Sequence, residues 1–141
     1  MKKIKNKRYV IQGLKSRKEY HYAGEFGKDK TIMDYGCGPG YGSEILSRYA
    51  KKVVGVDIRT KAINYSRRTY QQSNLSFQVI SPSKPLPFKD DYFDVIISSH
   101  VIEHIPNVHK YLGELKRILK INGKLIISTP NKKFRLLPFQ K

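Results

Sequence analysis

Short runs of apolar residues alternate with amphipathic segments along most of the chain. A short continuous apolar run is typical of a buried strand, whereas apolar residues repeated every three or four positions indicate a helix. The predicted strands are residues 31–35, 52–57, 75–80, 93–98 and 124–128. The predicted helices are residues 43–50, 60–71 with Thr60 as the N-cap, and 108–120, which Asn122 and Gly123 end.

The alternation of strands and helices predicts an α/β fold, with a doubly wound, mostly parallel sheet covered on both faces. We expect one domain, divided into a helical lead-in (1–28), a core (29–131) and a tail (132–141). Ligands of such sheets bind beyond the carboxyl ends of the strands, where the strand order reverses. The unusual residues of this chain follow those ends, at 34–42, Asp57, 81–87 and 98–104.

Glycines occupy every second position in DYGCGPGYG, residues 34–42, directly after the first predicted strand. No register of this stretch matches the G-x-G-x-x-G pattern of nicotinamide-binding proteins. Glycines let a backbone approach a ligand closely, and the N-terminus of the helix predicted at 43–50 faces the same place. Asp57, expected at the exposed end of the next strand, could accept hydrogen bonds from both hydroxyls of a ribose. A glycine-rich turn and a helix-capping acid are the alternative, but the two features together favour a ligand site.

The stretch HVIEH, residues 100–104, matches the H-x-x-E-H spacing of inverted zinc peptidases. Zinc would require both imidazoles on one helical face, together with a third ligand. The stretch begins where the fourth strand ends, Pro106 disfavours a regular helix there, and Glu114 is the sole acid downstream. We therefore predict no metal site, and His100 becomes the candidate for contact with a substrate.

The charge balance is strongly basic, because 28 Lys and Arg face 11 Asp and Glu for a net charge of +17. The basic residues are spread along the chain, which favours a highly soluble surface over a nucleic-acid-binding patch. Polyanion binding, where it occurs, is expected to be weak and independent of sequence. No apolar run has the length of a membrane span, and the basic start lacks the apolar segment of a signal peptide, so we expect a cytoplasmic protein.

Four stretches resemble, in order, the successive motifs of class I S-adenosylmethionine-dependent methyltransferases: DYGCGPGYG, VVGVDI, LPFKDDYFDVIISSHVIEHIPN and ELKRILKINGKLIISTPN. The chain is most similar to the subgroup of ubiquinone-biosynthesis and glycan-associated methyltransferases, and the upstream EYHYAGEF resembles the lead-in of that subgroup. The resemblance covers roughly residues 17–131. It implies a Rossmann-like sheet of strand order 3-2-1-4-5 with the final strands missing. It also implies S-adenosyl-L-methionine as cofactor and methyl transfer to a small-molecule or glycan acceptor.

The resemblance further implies which residues hold the cofactor: the glycine loop at its methionine end, Asp57 at the ribose and Ile58 against adenine. The expected cofactor-binding residues are Asp34, Gly36, Cys37, Gly38, Gly40, Asp57, Ile58, Ser81 and Ser99. Cys37 is expected to be a small buried residue of the loop rather than a nucleophile. His100, near the sulfonium, is the candidate catalytic residue. The family usually places an acid against adenine in the loop at 81–88, and here a serine hydroxyl or a backbone carbonyl is the expected substitute.

Two alternative functions stay open on the sequence. An RNA methyltransferase is favoured by the basic charge, although no D/N-P-P-Y-type tetrapeptide or aromatic stacking motif is present. A cofactor-binding module with little activity is favoured by the missing final strands and the altered adenine loop. Without those strands the fifth strand is expected to form an exposed edge, which a partner chain could complete.

Overall fold

Six strands and four helices make up the part of the chain that the computed structural model describes, residues 9–10 and 16–129. The strands are β1 (Tyr9–Val10), β2 (Thr31–Tyr35), β3 (Lys52–Asp57), β4 (Leu75–Val79), β5 (Phe93–Ser99) and β6 (Leu119–Ser128). The helices are α1 (Ser16–Gly24), α2 (Tyr41–Ser47), α3 (Thr60–Thr69) and α4 (Val108–Ile118), with a 3-10 turn at Ile102–His104. None of the helices in this part of the chain has the length and apolar character needed to cross a bilayer.

The strands form one sheet in the order β1-β6-β5-β2-β3-β4, and each neighbouring pair is parallel. The five strands predicted from the sequence therefore take the order 3-2-1-4-5, which confirms the doubly wound α/β fold. The strand order reverses at the neighbouring strands β2 and β5. Their carboxyl ends flank the crevice in which such sheets bind ligands.

The central strand β5 shows why the predicted strands are apolar at successive positions. Ile96 packs into the core layer that contains Leu115 of α4. Its neighbour Ile97 packs into the layer on the opposite face, with Leu46 of α2 and Ile63 of α3. All five side chains are fully buried. Because helices cover both faces of the sheet, neither set of alternating positions meets water, and the usual apolar–polar alternation of strands is lost.

All three predicted helices differ in their bounds from the prediction. α3 ends at Thr69 rather than at 71, and α4 ends at Ile118 rather than at 120, so that Asn122 and Gly123 lie inside β6. α2 runs from Tyr41 to Ser47, so it starts inside the glycine stretch and is shorter than the predicted helix at 43–50. The N-cap of α3 is Arg59 rather than Thr60, and its side chain makes no capping hydrogen bond.

The lead-in and the edge of the sheet are also corrected by the structure. Residues 9–10 form β1, and α1 covers only 16–24, so the lead-in at 1–28 is not a helix throughout. β1 pairs with β6, which makes the expectation of an exposed fifth strand wrong at the paired positions. β6 also starts earlier than predicted, directly after α4, with a register shift against β5. The predicted tail at 132–141 lies outside the described residues, and the extent of the single domain stays a prediction.

Candidate functional site

The carboxyl ends of the parallel strands meet at one edge of the sheet, and most of the predicted site residues lie along that edge. The glycine loop at 36–40 follows β2, Asp57 ends β3, and Ser99 ends β5. The loop after β4, which contains Ser81, is joined to the same edge because the Ile80 N–H donates to the carbonyl oxygen of Asp57 at 3.0 Å. The fold therefore brings together residues that are far apart in the sequence.

The glycine loop turns sharply where β2 ends, with positive φ angles at Gly36 (76°), Gly38 (54°) and Gly40 (94°). At Gly36 the left-handed conformation and the neighbouring Val101 side chain both require glycine, because a Cβ there would overlap Val101 Cγ2. The N–H groups of Gly36 and Cys37 donate to the carbonyl oxygen of Val56, at 2.8 and 2.9 Å. The start of the loop is thus tied to the end of β3.

Asp57 is the second connection between β3 and the glycine loop. Its Oδ2 accepts a hydrogen bond from the Gly38 N–H at 2.8 Å, and its Oδ1 accepts one from the Arg59 N–H at 2.9 Å. Asp57 is only 5% exposed. The sequence-based expectation of an exposed acid is therefore wrong, because the loop folds over the carboxylate and uses it as an anchor.

The guanidinium group of Arg59 covers the remaining side of the Asp57 carboxylate. Arg59 Nε lies 3.2 Å from Oδ1 and Nη2 lies 3.5 Å from Oδ2. The Arg59 side chain is 65% exposed, so this contact has the character of a surface ion pair that water can reach. Each oxygen of Asp57 thus has one backbone partner and one side-chain partner that can move away.

Two further residues are the predicted contacts of adenine, Ile58 and Ser81. Ile58 is 56% exposed, which leaves an apolar surface directly beside the carboxylate. Ser81 lies in the loop after β4, and its Oγ lies 2.9 Å from the Oγ of Ser83. The expected hydroxyl is therefore present in this loop, in contact with a second serine of the same turn.

Asp34, near the end of β2, is fully buried. Its Oδ2 accepts a hydrogen bond from Ser43 Oγ at 2.6 Å, and its Oδ1 accepts one from Tyr20 Oη at 3.2 Å. Burial raises the pKa of Asp34 to about 7, against the opposing effect of these two hydrogen bonds. Asp34 therefore joins α1 and α2 beneath the loop, and direct contact with a ligand stays a prediction.

Cys37 lies inside the glycine loop with its side chain 4% exposed. Burial raises the pKa of its thiol well above the usual range, and the charges of Asp34 and Asp57 act in the same direction. A thiolate is the nucleophilic form of cysteine, so this side chain is not suited to nucleophilic chemistry. What Cys37 contributes to the loop is its backbone N–H.

The chain turns sharply after β5, at His100, whose φ of 55° lies in the left-handed region. The His100 N–H donates to the carbonyl oxygen of Ser128 at 2.9 Å, and the imidazole is exposed. Ser99 Oγ donates to Glu19 Oε1, and Ser128 Oγ donates to Ser99 Oγ at 3.1 Å. The ends of β5 and β6 are therefore joined to α1 through a chain of side-chain hydrogen bonds.

The zinc-peptidase spacing of HVIEH does not correspond to zinc geometry. His100 lies in the turn and His104 ends the 3-10 segment, so the two imidazoles do not share the face of an α-helix. Over residues 9–10 and 16–129, no group of three or more His, Cys, Asp or Glu side chains is arranged to hold a metal ion.

Sequence reasoning missed four residues that take part in this site. They are Glu19, Tyr20, Ser43 and Arg59. The signal for two of them was the pair Glu19-Tyr20, a carboxylate and a phenol inside the basic lead-in. Gly42 was a further signal, because a Cβ at this position would overlap the ring of Tyr20. Close packing of α1 on α2 thus requires the fourth glycine of the stretch.

Two cavities lie near the ends of the sheet. A small pocket of about 110 Å³ adjoins the candidate site and is lined by Tyr35, Ser81, Leu86, Ile105 and Tyr111, among others. A larger open cleft of about 560 Å³ lies at the opposite, amino-terminal ends of the strands, beside Lys30, Asp94 and Lys124. The larger cleft is remote from the glycine loop and from Asp57, so its size does not make it the better candidate.

Comparison with known proteins relates this part of the chain to methyltransferases. A family model described as a methyltransferase domain matches residues 33–127. A probable S-adenosylmethionine-dependent methyltransferase of Mycobacterium tuberculosis is 32% identical over 108 residues, which cover 73% of this chain and 36% of that protein. The ubiquinone biosynthesis O-methyltransferase of Coxiella burnetii is 30% identical over 109 residues, which cover 77% of this chain and 47% of that protein.

The fold is also similar to solved structures. The crystal structure of the YcgJ protein from Bacillus subtilis superposes with a TM-score of 0.72 at 27% identity, covering 79% of this chain and 49% of that one. In each of these three comparisons the chain spans less than half the length of the protein it matches.

Replacement of Asp34 by asparagine is expected to change how stability depends on pH. The folded-state pKa of about 7 lies above the ordinary value of 3.8, so the folded state binds more protons than the unfolded state between these values. The free energy of unfolding should therefore fall with rising pH in wild type, by up to roughly 4 kcal/mol relative to Asp34→Asn. Denaturant titrations from about pH 4 to pH 7 measure this difference.

The matched control is Asp29→Asn, which removes an exposed carboxyl at a φ of 60° that asparagine tolerates. Its pH profile should run parallel to that of wild type. If the free energy of unfolding of Asp34→Asn also runs parallel to that of wild type, the pKa of Asp34 is not raised by burial in the folded protein.

Proposed function

Because the chain belongs to the class I S-adenosylmethionine-dependent methyltransferases, we propose that it transfers a methyl group from S-adenosylmethionine to a small-molecule or glycan acceptor. The cofactor would bind along the carboxyl ends of β2, β3 and β5. The observation that carries the proposal is the Asp57 carboxylate, anchored against the glycine loop and flanked by the exposed side chain of Ile58.

The fit of the ribose to Asp57 follows from the acceptor capacity of a carboxylate. Each oxygen can accept two hydrogen bonds, and one position on each is filled by a backbone N–H. The second position on each is filled by the guanidinium of Arg59. We propose that the two ribose hydroxyls take these two positions and that the exposed Arg59 side chain moves aside.

The adenine end is proposed to rest on Ile58, whose exposed side chain would become buried by the base. The loop from Ser81 to Phe88 contains no carboxylate, so the adenine amino group would donate to the Ser81 hydroxyl or to a backbone carbonyl. This contact would lack the strength of a charge-assisted hydrogen bond, and we expect the ribose contacts to dominate affinity.

The cofactor supplies the reactive methyl group when bound, and the chain supplies its position relative to the acceptor. We propose that the exposed imidazole of His100 faces the acceptor and accepts its proton when the acceptor is a hydroxyl group. The pocket beside Tyr35, Ile105 and Tyr111 is small and is also lined by Lys84, Lys110 and Glu114, which supports a compact acceptor with polar groups. An assay of methyl transfer from S-adenosylmethionine to small molecules, glycans and RNA separates this proposal from RNA methylation and from cofactor binding without turnover.

Asp57→Ala should weaken binding of S-adenosylhomocysteine, a stable product of methyl transfer, by about 10- to 1000-fold. The reason is the loss of charge-assisted hydrogen bonds to the ribose, and Asp57→Asn should lose less because it keeps one acceptor oxygen. Since Asp57 also anchors the Gly38 N–H, the alanine variant should lose roughly 1–3 kcal/mol of stability. Isothermal titration calorimetry and denaturant unfolding measure the two effects.

Asp90→Ala is the control for Asp57, because Asp90 is a 73% exposed carboxylate outside the site. Its affinity for S-adenosylhomocysteine should equal that of wild type. If a folded Asp57→Ala variant binds S-adenosylhomocysteine with wild-type affinity, the ribose does not contact this carboxylate and the proposed site is wrong.

Arg59→Ala should tighten binding of S-adenosylhomocysteine by up to about fivefold, because the ligand would no longer displace an exposed ion pair. The affinity should also depend less on salt concentration than in wild type. The matched control is Arg48→Ala, which removes an exposed ion pair with Glu44 on α2 and should change neither quantity. Weakening by tenfold or more in Arg59→Ala would instead mean that the guanidinium itself holds the ligand.

A further inference from the structure

Glu19 of α1 is a fully buried carboxylate with one unsatisfied oxygen. Oε1 accepts the hydrogen bond from Ser99 Oγ. Oε2 is the one buried side-chain nitrogen or oxygen without a hydrogen-bond partner within the described part of the chain. A buried carboxylate without its full set of partners is costly, so an oxygen left in this state points to a partner that binds from outside.

Glu19 lies at the edge of the sheet where the methionine end of the cofactor is expected. Its contact residue Ser99 is the last residue of β5, and Ser128, the last residue of β6, donates to Ser99 in turn. The charge of Glu19 also contributes to the raised pKa of Asp34, so the two carboxylates are close enough to interact. Glu19 is thus linked to the ends of β5 and β6 and is not an isolated buried acid.

The ionisable side chains buried at this edge are acidic. Glu19, Asp34 and Asp57 are buried, and no lysine or arginine is buried in the residues that the structure describes. In a chain with 28 basic and 11 acidic residues this concentration is the reverse of the overall balance. A ligand group that brings positive charge to this edge would compensate the buried carboxylates.

We propose that Glu19 Oε2 accepts a hydrogen bond from the α-ammonium group of the cofactor's methionine moiety. This inference rests on the proposed function, since it takes S-adenosylmethionine as the ligand. The ammonium group is a compact cation with three donors, which suits a single carboxylate oxygen in a buried wall. A neutral hydroxyl donor would satisfy the lone pair but leave the charge uncompensated. A metal ion would need several free oxygen ligands. Both oxygens of the neighbouring Asp34 already accept hydrogen bonds, so Asp34 could not complete such a site with Glu19 Oε2.

The test compares two ligands by calorimetry. S-Adenosylhomocysteine carries the α-amino group, and 5′-methylthioadenosine shares its adenosine part but lacks the amino-acid end. Glu19→Gln should weaken S-adenosylhomocysteine binding by about 10- to 100-fold and leave methylthioadenosine binding within about twofold. Glu25→Gln, which removes an exposed carboxylate just after α1, is the matched control and should change neither affinity.

Each outcome decides the inference. If wild type binds S-adenosylhomocysteine and a folded Glu19→Gln variant binds it equally well, the role of Glu19 is wrong while the proposed function stands. If both ligands lose affinity equally in Glu19→Gln, Glu19 supports the fold of the site and does not hold the ammonium group. If wild type binds neither ligand, the proposed function fails and this inference with it.

A second measurement covers the case in which Glu19→Gln does not fold. The S-adenosylhomocysteine analogue whose α-amino group is replaced by hydrogen should bind wild type at least about tenfold more weakly than the parent ligand. Ser99→Ala, which removes the donor to Oε1, should reduce this discrimination because Glu19 loses its fixed position. Equal binding of the two ligands to wild type would overturn the inference.

Discussion

Two backbone N–H groups, those of Gly38 and Arg59, donate to opposite oxygens of the buried Asp57 carboxylate. Hydrogen bonds to a charged group contribute roughly 1.5–3 kcal/mol each, so this pair fixes the glycine loop against the end of β3. The exposed Arg59 guanidinium occupies the second acceptor position of each oxygen. The Asp57 carboxylate therefore holds the glycine loop in place and could still accept hydrogen bonds from the two ribose hydroxyls.

Two buried carboxyl groups, those of Asp34 and Glu19, lie next to this anchor. Asp34 connects α1 and α2 through Tyr20 and Ser43, and Glu19 connects α1 to the ends of β5 and β6. Burial of carboxylates destabilises the apo protein, and a cationic ligand removes part of that cost. The cofactor carries a sulfonium and an ammonium group against one carboxylate, so its net positive charge complements the buried carboxyl groups of this edge. Stability and ligand binding are thus linked through the same side chains.

The sheet could be predicted from the sequence because its strands are local apolar runs, such as residues 93–98, and the strand order follows from the family resemblance. The positions of Asp57 and the glycine loop could be predicted for the same reason. Glu19 and Tyr20 stand out in the basic lead-in, but their role could not be predicted because it depends on how α1 packs across the strand ends, which is a tertiary property. The burial of Asp57 was missed because it results from the loop that folds over it, and the orientation of Arg59 has no sequence signal.

The central claim is that this edge of the sheet is a site for S-adenosylmethionine and not for another nucleoside-containing ligand. NAD is the sharpest competitor, since its ribose would also suit a carboxylate at the end of a strand. The direct measurement is a calorimetric titration of the wild-type chain with S-adenosylhomocysteine and, separately, with NAD under the same conditions. The account predicts saturable one-to-one binding of S-adenosylhomocysteine and at least about 100-fold weaker binding of NAD. Tighter binding of NAD, or no binding of S-adenosylhomocysteine, would contradict it.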